Sequence, residues 1–514
     1  MPTHPGISQQ LATTLRHNRI TRRQAMWLLG ASSVGASLVS LQGCAQSPVT
    51  GETIVVGMSE AQERQVDAQV APHQFSQDLG AIQDTAVNQY VSSLGQRMHR
   101  MTHRPDMPYS YRVLNANYVN AYTFPGGAMG VTRGILTELN NEAELAALLG
   151  HEMGHVNARH AAQRQGQALV AQAAVVGLNV AVQDAQWGQL VGLGSQIGAS
   201  ALLSSYSRDH EREADALGQE YLVRAGYPAQ GMTALHQLLV DEEKAAPSLV
   251  STLFSSHPMN TERRNTAAQL AATRYASSAK APLQRERFMD STASLRRIKP
   301  AITACKRGES AMAAKALAQA QRHFESALKL SPRDYAAHFR MAQCLQAQGK
   351  STQARQFAQT AQAIYPQEAQ AHKLSGVLAL SLRDPAAAFE GLDRYDRQLP
   401  GDPGITFLKG VSLEGMGNRQ QAAQHYAHYL RLTRQGQARP PNLPPAACRL
   451  GGWCAEKTPH RRPKDRCAAF KRLQNHKEIT GMARTSLPKA TRGAAKSIHF
   501  DTNSGTFKQY EQLV

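Results

Sequence analysis

Two histidines four residues apart flank an acid in His151-Glu152-Met153-Gly154-His155. On an α-helix that spacing stacks both imidazoles on one face, so they can grip a single metal ion. Neutral imidazole nitrogen suits Zn²⁺, and a catalytic zinc takes three protein ligands and leaves one position for water. Glu152 stands beside the first ligand, within reach of that water, which makes it the candidate general base. A third ligand is still needed, and residues 206–218 (YSRDHEREADALG) offer one. Glu211 and Asp215 are again four apart, on one helical face. Glu211 is the expected third ligand. Asp215 is expected behind it, accepting a hydrogen bond from a ligand imidazole and fixing its tautomer. A charged, solvated helix with Arg208, Arg212 and Glu213 exposed is the alternative for this stretch. His160 and His210 are not expected at the metal. A continuous helix puts His160 on the face opposite His151, and His210 is out of step with Glu211.

His-Glu-x-x-His at 151–155, followed by Ser207, Arg208, Glu211, Ala214 and Asp215, resembles the M48 family of zinc metallopeptidases. Asn120-Ala121, followed by Pro125-Gly126-Gly127, is similar to the same family. The resemblance covers residues 51–279. It implies an α-rich gluzincin fold, one Zn²⁺ per subunit and endoproteolysis.

Several elements must position these groups. Leu145, Leu148 and Leu149 lay an apolar stripe ahead of His151, with no proline in the run, as a buried helix requires. Residues 50–100 read as helical, with Asp84 as an N-cap and Val87, Val91, Leu94 and Met98 on one face. Residues 109–114 alternate as a strand, and 120–124 with 128–132 form a hairpin around Pro125-Gly126-Gly127. An edge strand carrying Asn120, Gly126, Gly127, Ala128 and Met129 beside a zinc cleft can hold an extended peptide by main-chain hydrogen bonds. An ordinary structural hairpin fits the same residues. Residues 168–182 and 190–203 are apolar but short for a membrane span, and core helices or a cover over the cleft both fit.

Beyond the third ligand, His257 precedes Pro258 after a loop-like stretch. It could fill the open zinc position and hold the enzyme latent. It could instead donate to the oxyanion, helped by Arg263, or be a loop histidine bonded only for shape. The family resemblance favours a regulatory role.

From Lys299 the pattern changes. Pro332, Pro366 and Pro400 are 34 residues apart, as are Ala320, Ala354, Ala388 and Ala422, and the small residues Gly308, Ala342, Gly376 and Gly410. This period resembles tetratricopeptide repeats, in which small residues let paired helices approach and proline ends the second helix. Four units span 301–434, and such solenoids present a concave surface to peptides or partner proteins. Protease plus repeats is similar to the family of β-barrel assembly-enhancing proteases of the bacterial periplasm. That family usually lacks the lipid-attachment pattern found here.

That pattern closes residues 1–43, which read as an export signal. Arg16, Arg19, Arg22 and Arg23 precede an apolar run that ends in Leu41-Gln42-Gly43-Cys44. Cleavage before Cys44 would leave its thiol to take a lipid, and Ala45 resembles the signal for sorting to the outer membrane. An uncleaved anchor is the alternative. Thr21-Arg22-Arg23 leaves the general and twin-arginine export routes both open.

The formal charge of +19 is uneven: residues 1–43 contribute +4, residues 439–514 contribute +10, and the 395 residues between contribute +5. The folded body therefore offers no basic footprint for nucleic acid. The tail has no repeat register and little apolar periodicity, so it reads as largely disordered. Six cysteines are too few for a disulfide scaffold. Cys305 and Cys344 fall in neighbouring repeats and either pair or stay as buried thiols.

The expected fold is mainly α: an α+β gluzincin protease domain with a small sheet at 44–298, then an α-solenoid of tetratricopeptide-like repeats at 299–434. A lipoprotein signal peptide at 1–43 and a basic tail at 435–514 flank them. The expected function is a periplasmic zinc endopeptidase, anchored by lipid at the outer membrane. It would degrade misfolded or stalled outer-membrane proteins, with repeats that recruit substrates or the assembly machinery. The rival is a chaperone-like scaffold whose protease is latent.

Overall fold

The computed structural model describes residues 43–176, 206–245, 257, 261–436, 500–501 and 506–507. The stretch read as helical from residue 50 starts differently. Strands β1 (Cys44–Gln46) and β2 (Thr53–Val55) pair as an antiparallel ribbon. Only then does Ser59 open helix α1 (Glu60–Gln77) through a reciprocal capping box with Gln62. Asp84 does cap the next helix, α2 (Thr85–His99), accepting from Ala86 N and Val87 N. Val87, Val91, Leu94 and Met98 of α2 are all buried.

Three strands follow: β3 (Ser110–Leu114), β4 (Ala121–Thr123) and β5 (Ala128–Thr132). The hairpin β4–β5 forms as expected, with Gly127 supplying the left-handed turn at φ +97°. Strand β3 adds in parallel to the other side of β5, giving the order β3-β5-β4. Ala128 and Met129, expected on a free edge, therefore lie in the middle strand, opposite Ser110 and Tyr111. The edge strands are β3 and β4, and β3 carries a further bridge between Leu114 and Ala81. Period-two patterning locates strands but does not say which of them is flanked on both sides.

Helix α3 (Arg133–Glu138) leads into α4 (Glu142–Asn157), whose sixteen residues are all buried. Asn141 caps α4 through Glu144 N at 3.0 Å. The stripe Leu145, Leu149 and Met153 joins Val87, Val91 and Leu94 of α2 in the main core. Helix α5 (His160–Val176) follows, and the expected apolar segments beyond it, 177–182 and 190–203, lie outside the described residues. Helices α6 (Arg208–Arg224), α7 (Gln230–Ala245) and α8 (Thr261–Ala272) complete the metal-site framework. Helix α6 meets α4 almost backbone to backbone. A Cβ on Gly218 would come within 2.7 Å of His151 N, and one on Gly154 within 2.7 Å of Ala214 O. Gly150, Gly154 and Gly218 thus set how closely Glu211 approaches the two histidines.

Two short helices, α9 (Arg285–Ser291) and α10 (Ala293–Arg297), connect to the repeats. These are four helix pairs: α11 (Lys299–Ala313) with α12 (Leu317–Leu330), α13 (Tyr335–Ala347) with α14 (Ser351–Ile364), α15 (Ala369–Ser381) with α16 (Pro385–Gln398), and α17 (Pro403–Gly415) with α18 (Arg419–Gly436). The small residues do what the period implies. A Cβ on Gly308 would strike the Phe324 ring, on Gly376 the Leu392 side chain, and on Gly410 the Tyr426 ring. Cys305 and Cys344 are buried free thiols, not a disulfide, and Cys44 is exposed. Among the described residues, no helix is long and apolar enough to cross a membrane.

The repeats and the N-terminal part are joined through a periodic feature. Asp334, Glu368 and Asp402 each cap the first helix of a repeat and are 34 residues apart. Each also meets the N-terminal part. Arg133 donates to both Asp334 oxygens at 2.6 and 3.1 Å. Ser76 donates to Glu368. His73 lies near the charge of Asp402, which raises its basicity against the opposing effect of burial.

Candidate metal centre

Helices α4 and α6 bring His151, His155 and Glu211 together, and His257 closes the group from its loop. One ligand atom from each of the four lies within 4.8 Å of all the others, and all four residues are buried. His151 Nε2 is 3.1 Å from His155 Nε2, 3.6 Å from Glu211 Oε2 and 3.3 Å from His257 Nδ1. His257 Nδ1 is 3.0 Å from Glu211 Oε1.

The proton positions suit a cation. His151 Nδ1 is 2.9 Å from Asp215 Oδ1, and that carboxylate oxygen can only accept while ionised. The His151 proton is therefore on Nδ1, and its Nε2 presents a bare lone pair to the group. A bare nitrogen and a carboxylate converging out of water attract a cation to the space between them. Imidazole nitrogen with one carboxylate is the donor set of a zinc hydrolase site.

The carboxylates differ in their surroundings. Burial works against charge on Glu211, yet the imidazoles of His257 and His155 hold its carboxyl well below the usual range. Burial likewise opposes charge on Asp215, and His236 and Arg263 overcome it. Glu152 differs: burial pushes its carboxyl up more than the nearby His257 and His151 pull it down, and neither oxygen has a hydrogen-bond partner, His257 Nε2 lying 3.8 Å from Oε1. A buried carboxylate without a hydrogen bond beside a candidate metal site is poised for a proton rather than for structure.

Arg263 stands apart from the oxyanion role considered for it. Its Nε and Nη2 donate to Asp215 at 2.7 Å each, and Nη1 lies 2.8 Å from Glu211 Oε2. The guanidinium is committed to clamping the two α6 carboxylates. His257 Nδ1 lies inside the same group of candidate donors.

Some neighbours escaped sequence reasoning. His236 of α7 is 3.1 Å from Asp215 Oδ1, and nothing around it distinguishes it from a core histidine. The Tyr206 ring stacks on His155 at 4.0 Å between centroids. It opens the stretch already singled out, which was its only signal. Asp67 of α1 accepts from Gly126 N and Ala128 N at 2.7 Å each, fastening the β4–β5 turn. Burial pushes its carboxyl up to about 7. Gly126 and Gly127 are thus turn residues held from behind, and Asn120 pairs inward with Thr132. His160, expected on the far side, instead lies 2.9 Å from His155.

This arrangement has the donor types that a metallopeptidase site uses. Residues 85–271 match the sequence profile described as peptidase family M48, and residues 311–378 match that of the tetratricopeptide repeat. The chain carries an M48 peptidase domain followed by tetratricopeptide repeats. It is similar to the beta-barrel assembly-enhancing protease of Yersinia pestis, 29% identical over 198 residues, which is 37% of this chain and 40% of that protein. The protein of the same name from Escherichia coli strain K12 is 28% identical over the same shares of both chains. Metalloprotease YcaL of Escherichia coli strain K12 is 30% identical over 158 residues, covering 30% of this chain and 59% of that one. The chain spans about two fifths of the length of the beta-barrel assembly-enhancing proteases it matches.

Proposed function

We propose that the chain is a zinc-dependent endopeptidase of the periplasm that degrades misfolded or stalled outer-membrane proteins, its repeats recruiting substrates or assembly partners. The observation that carries this is Glu152, buried and without a hydrogen-bond partner beside four converging residues that could hold a metal. His151, His155 and Glu211 would hold the ion. When bound, zinc supplies Lewis acidity, acidifying a water and polarising the peptide carbonyl. Glu152 takes a proton at its carboxylate and returns it to the leaving amine, and its raised basicity suits that transfer. Asp215 and Arg263 keep the ligands oriented. The open edge of β4 would align an extended peptide, with Asp67 and the Gly126-Gly127 turn fixing that edge. The test is cleavage of casein and of an unfolded β-barrel protein by the purified full chain, with and without chelator. Cleavage that chelator removes supports the reading. No cleavage by the zinc-loaded protein with His257 replaced would favour a scaffold.

His257 is proposed as a fourth ligand that keeps the site latent, because its Nδ1 already sits among the other donors. His257→Ala is expected to raise basal cleavage while zinc content stays the same. A fall in rate of about 10²-fold, the scale of a lost oxyanion donor, would overturn latency.

The location rests on the signal-like residues 1–43 and the exposed Cys44. Lipid on Cys44 would hold the protein at the outer membrane. Cys44→Ser should release it from membranes and remove palmitate labelling, and unchanged labelling would exclude the anchor.

A further inference from the structure

Helix α4 ends at Asn157 instead of running on to His160. Arg159 takes a left-handed backbone conformation, φ +59°, which reverses the chain before α5 begins. A buried arginine adopts that conformation only when it is held there. Its Nε donates to Glu63 at 2.8 Å and its Nη2 to the Met58 carbonyl at 2.8 Å. The reversal returns His160 onto His155. His155 Nδ1 and His160 Nδ1 are 2.9 Å apart, and His160 Nε2 is 3.2 Å from Glu213 Oε2. The His160 side chain is fully buried, and that of Glu213 is 36% exposed.

Proton placement along this chain has one consistent solution once His155 binds metal through Nε2. A metal on Nε2 leaves the His155 proton on Nδ1, where it can only donate. His160 Nδ1 must then accept, so the His160 proton is on Nε2 and points at the Glu213 carboxylate. We infer that Glu213 and His160 are positioning residues for ligand His155, a carboxylate–imidazole–imidazole relay that fixes its tautomer and ring orientation. Asp215 serves His151 directly, while His155 is served at one remove. The inference rests on the metal reading of the site. It assigns roles to two residues that sequence reasoning gave no part at the metal. Without the Glu213 acceptor, His160 is free to carry its proton on Nδ1, where it would confront the proton of His155.

The test measures zinc affinity of the full-length protein by competition with a chromophoric chelator. His160→Phe keeps an aromatic ring but removes the acceptor, and affinity should fall about 10–100-fold, the range for outer-shell partners. His160→Asn places an amide oxygen near the Nδ1 position and should recover most of that loss, which a purely packing role would not predict. Glu213→Leu, on a part-exposed side chain that endangers folding less, should also weaken zinc, and Glu213→Gln should restore it. Unchanged affinity in either His160→Phe or Glu213→Leu overturns the relay. If His160→Phe does not fold, the Glu213 pair decides. A wild-type protein that binds no zinc would instead overturn the metal reading itself.

Discussion

Glu152→Gln is expected to cut peptide hydrolysis by about 10²–10⁴-fold, the usual share of a general acid–base group, while zinc remains bound. The two halves of this expectation have separate causes. The candidate metal donors are His151, His155, Glu211 and His257, and Glu152 is not among them. Zinc content by elemental analysis should therefore match the wild type. The amide of Gln cannot take up a proton near neutral pH, so the proton has nowhere to go. Glu152 is 1% exposed and makes no hydrogen bond, so the change breaks none and removes only its charge 3.8 Å from His257 Nε2. Zinc loss in the variant would show that Glu152 helps build the site, and undiminished cleavage would remove it from the chemistry.

Arg133→Met should cost about 3–5 kcal/mol of stability, because it strands the buried carboxylate of Asp334. The two side chains are 3% and 2% exposed. Arg133 also donates to Asn117 Oδ1 at 2.6 and 2.9 Å, and Asn117 in turn donates to Glu309 of α11 at 3.0 Å. Adding Asp334→Asn should recover much of the loss, since no charge is then buried alone and the amide oxygen still caps Ala337 N. Denaturant midpoints of the single and double variants provide the check, and equal loss in both would mean that the ion pair is not the source. Burial opposes charge on Asp334, but Arg133 holds its carboxyl below the usual value. A carboxyl lowered on folding stabilises above its unfolded pKa of about 3.9 and loses that contribution as pH falls through the folded value. The joint should therefore hold at neutral pH and weaken only in acid.

The candidate centre was legible because its residues recur at helical spacing, and a helix repeats its faces whatever surrounds it. His151, His155, Glu211 and Asp215 were read in that way. The repeats were legible for a similar reason, since a 34-residue period survives any change of neighbour. What failed was extrapolation beyond an element's end. His160 was assigned to the wrong face by continuing α4 through Arg159, whose left-handed conformation depends on Glu63, 96 residues earlier. Ala128 and Met129 were placed on an edge because the pairing of β3 with β5 is non-local and leaves no mark in either strand. His236 and Asp67 reach the site only through tertiary packing.

The evenly spaced caps Asp334, Glu368 and Asp402 work like the cuts of a key, each meeting its own counterpart at Arg133, Ser76 and His73. A key tolerates a longer bow but not an extra cut. One more repeat added beyond α18 would leave every match in place. The same 34 residues inserted between α14 and α15 would present the wrong carboxylate to Ser76 and carry the old one a repeat further along. Lengthening of the array is thereby restricted to one end, and its reach for partners can change without disturbing the metal centre.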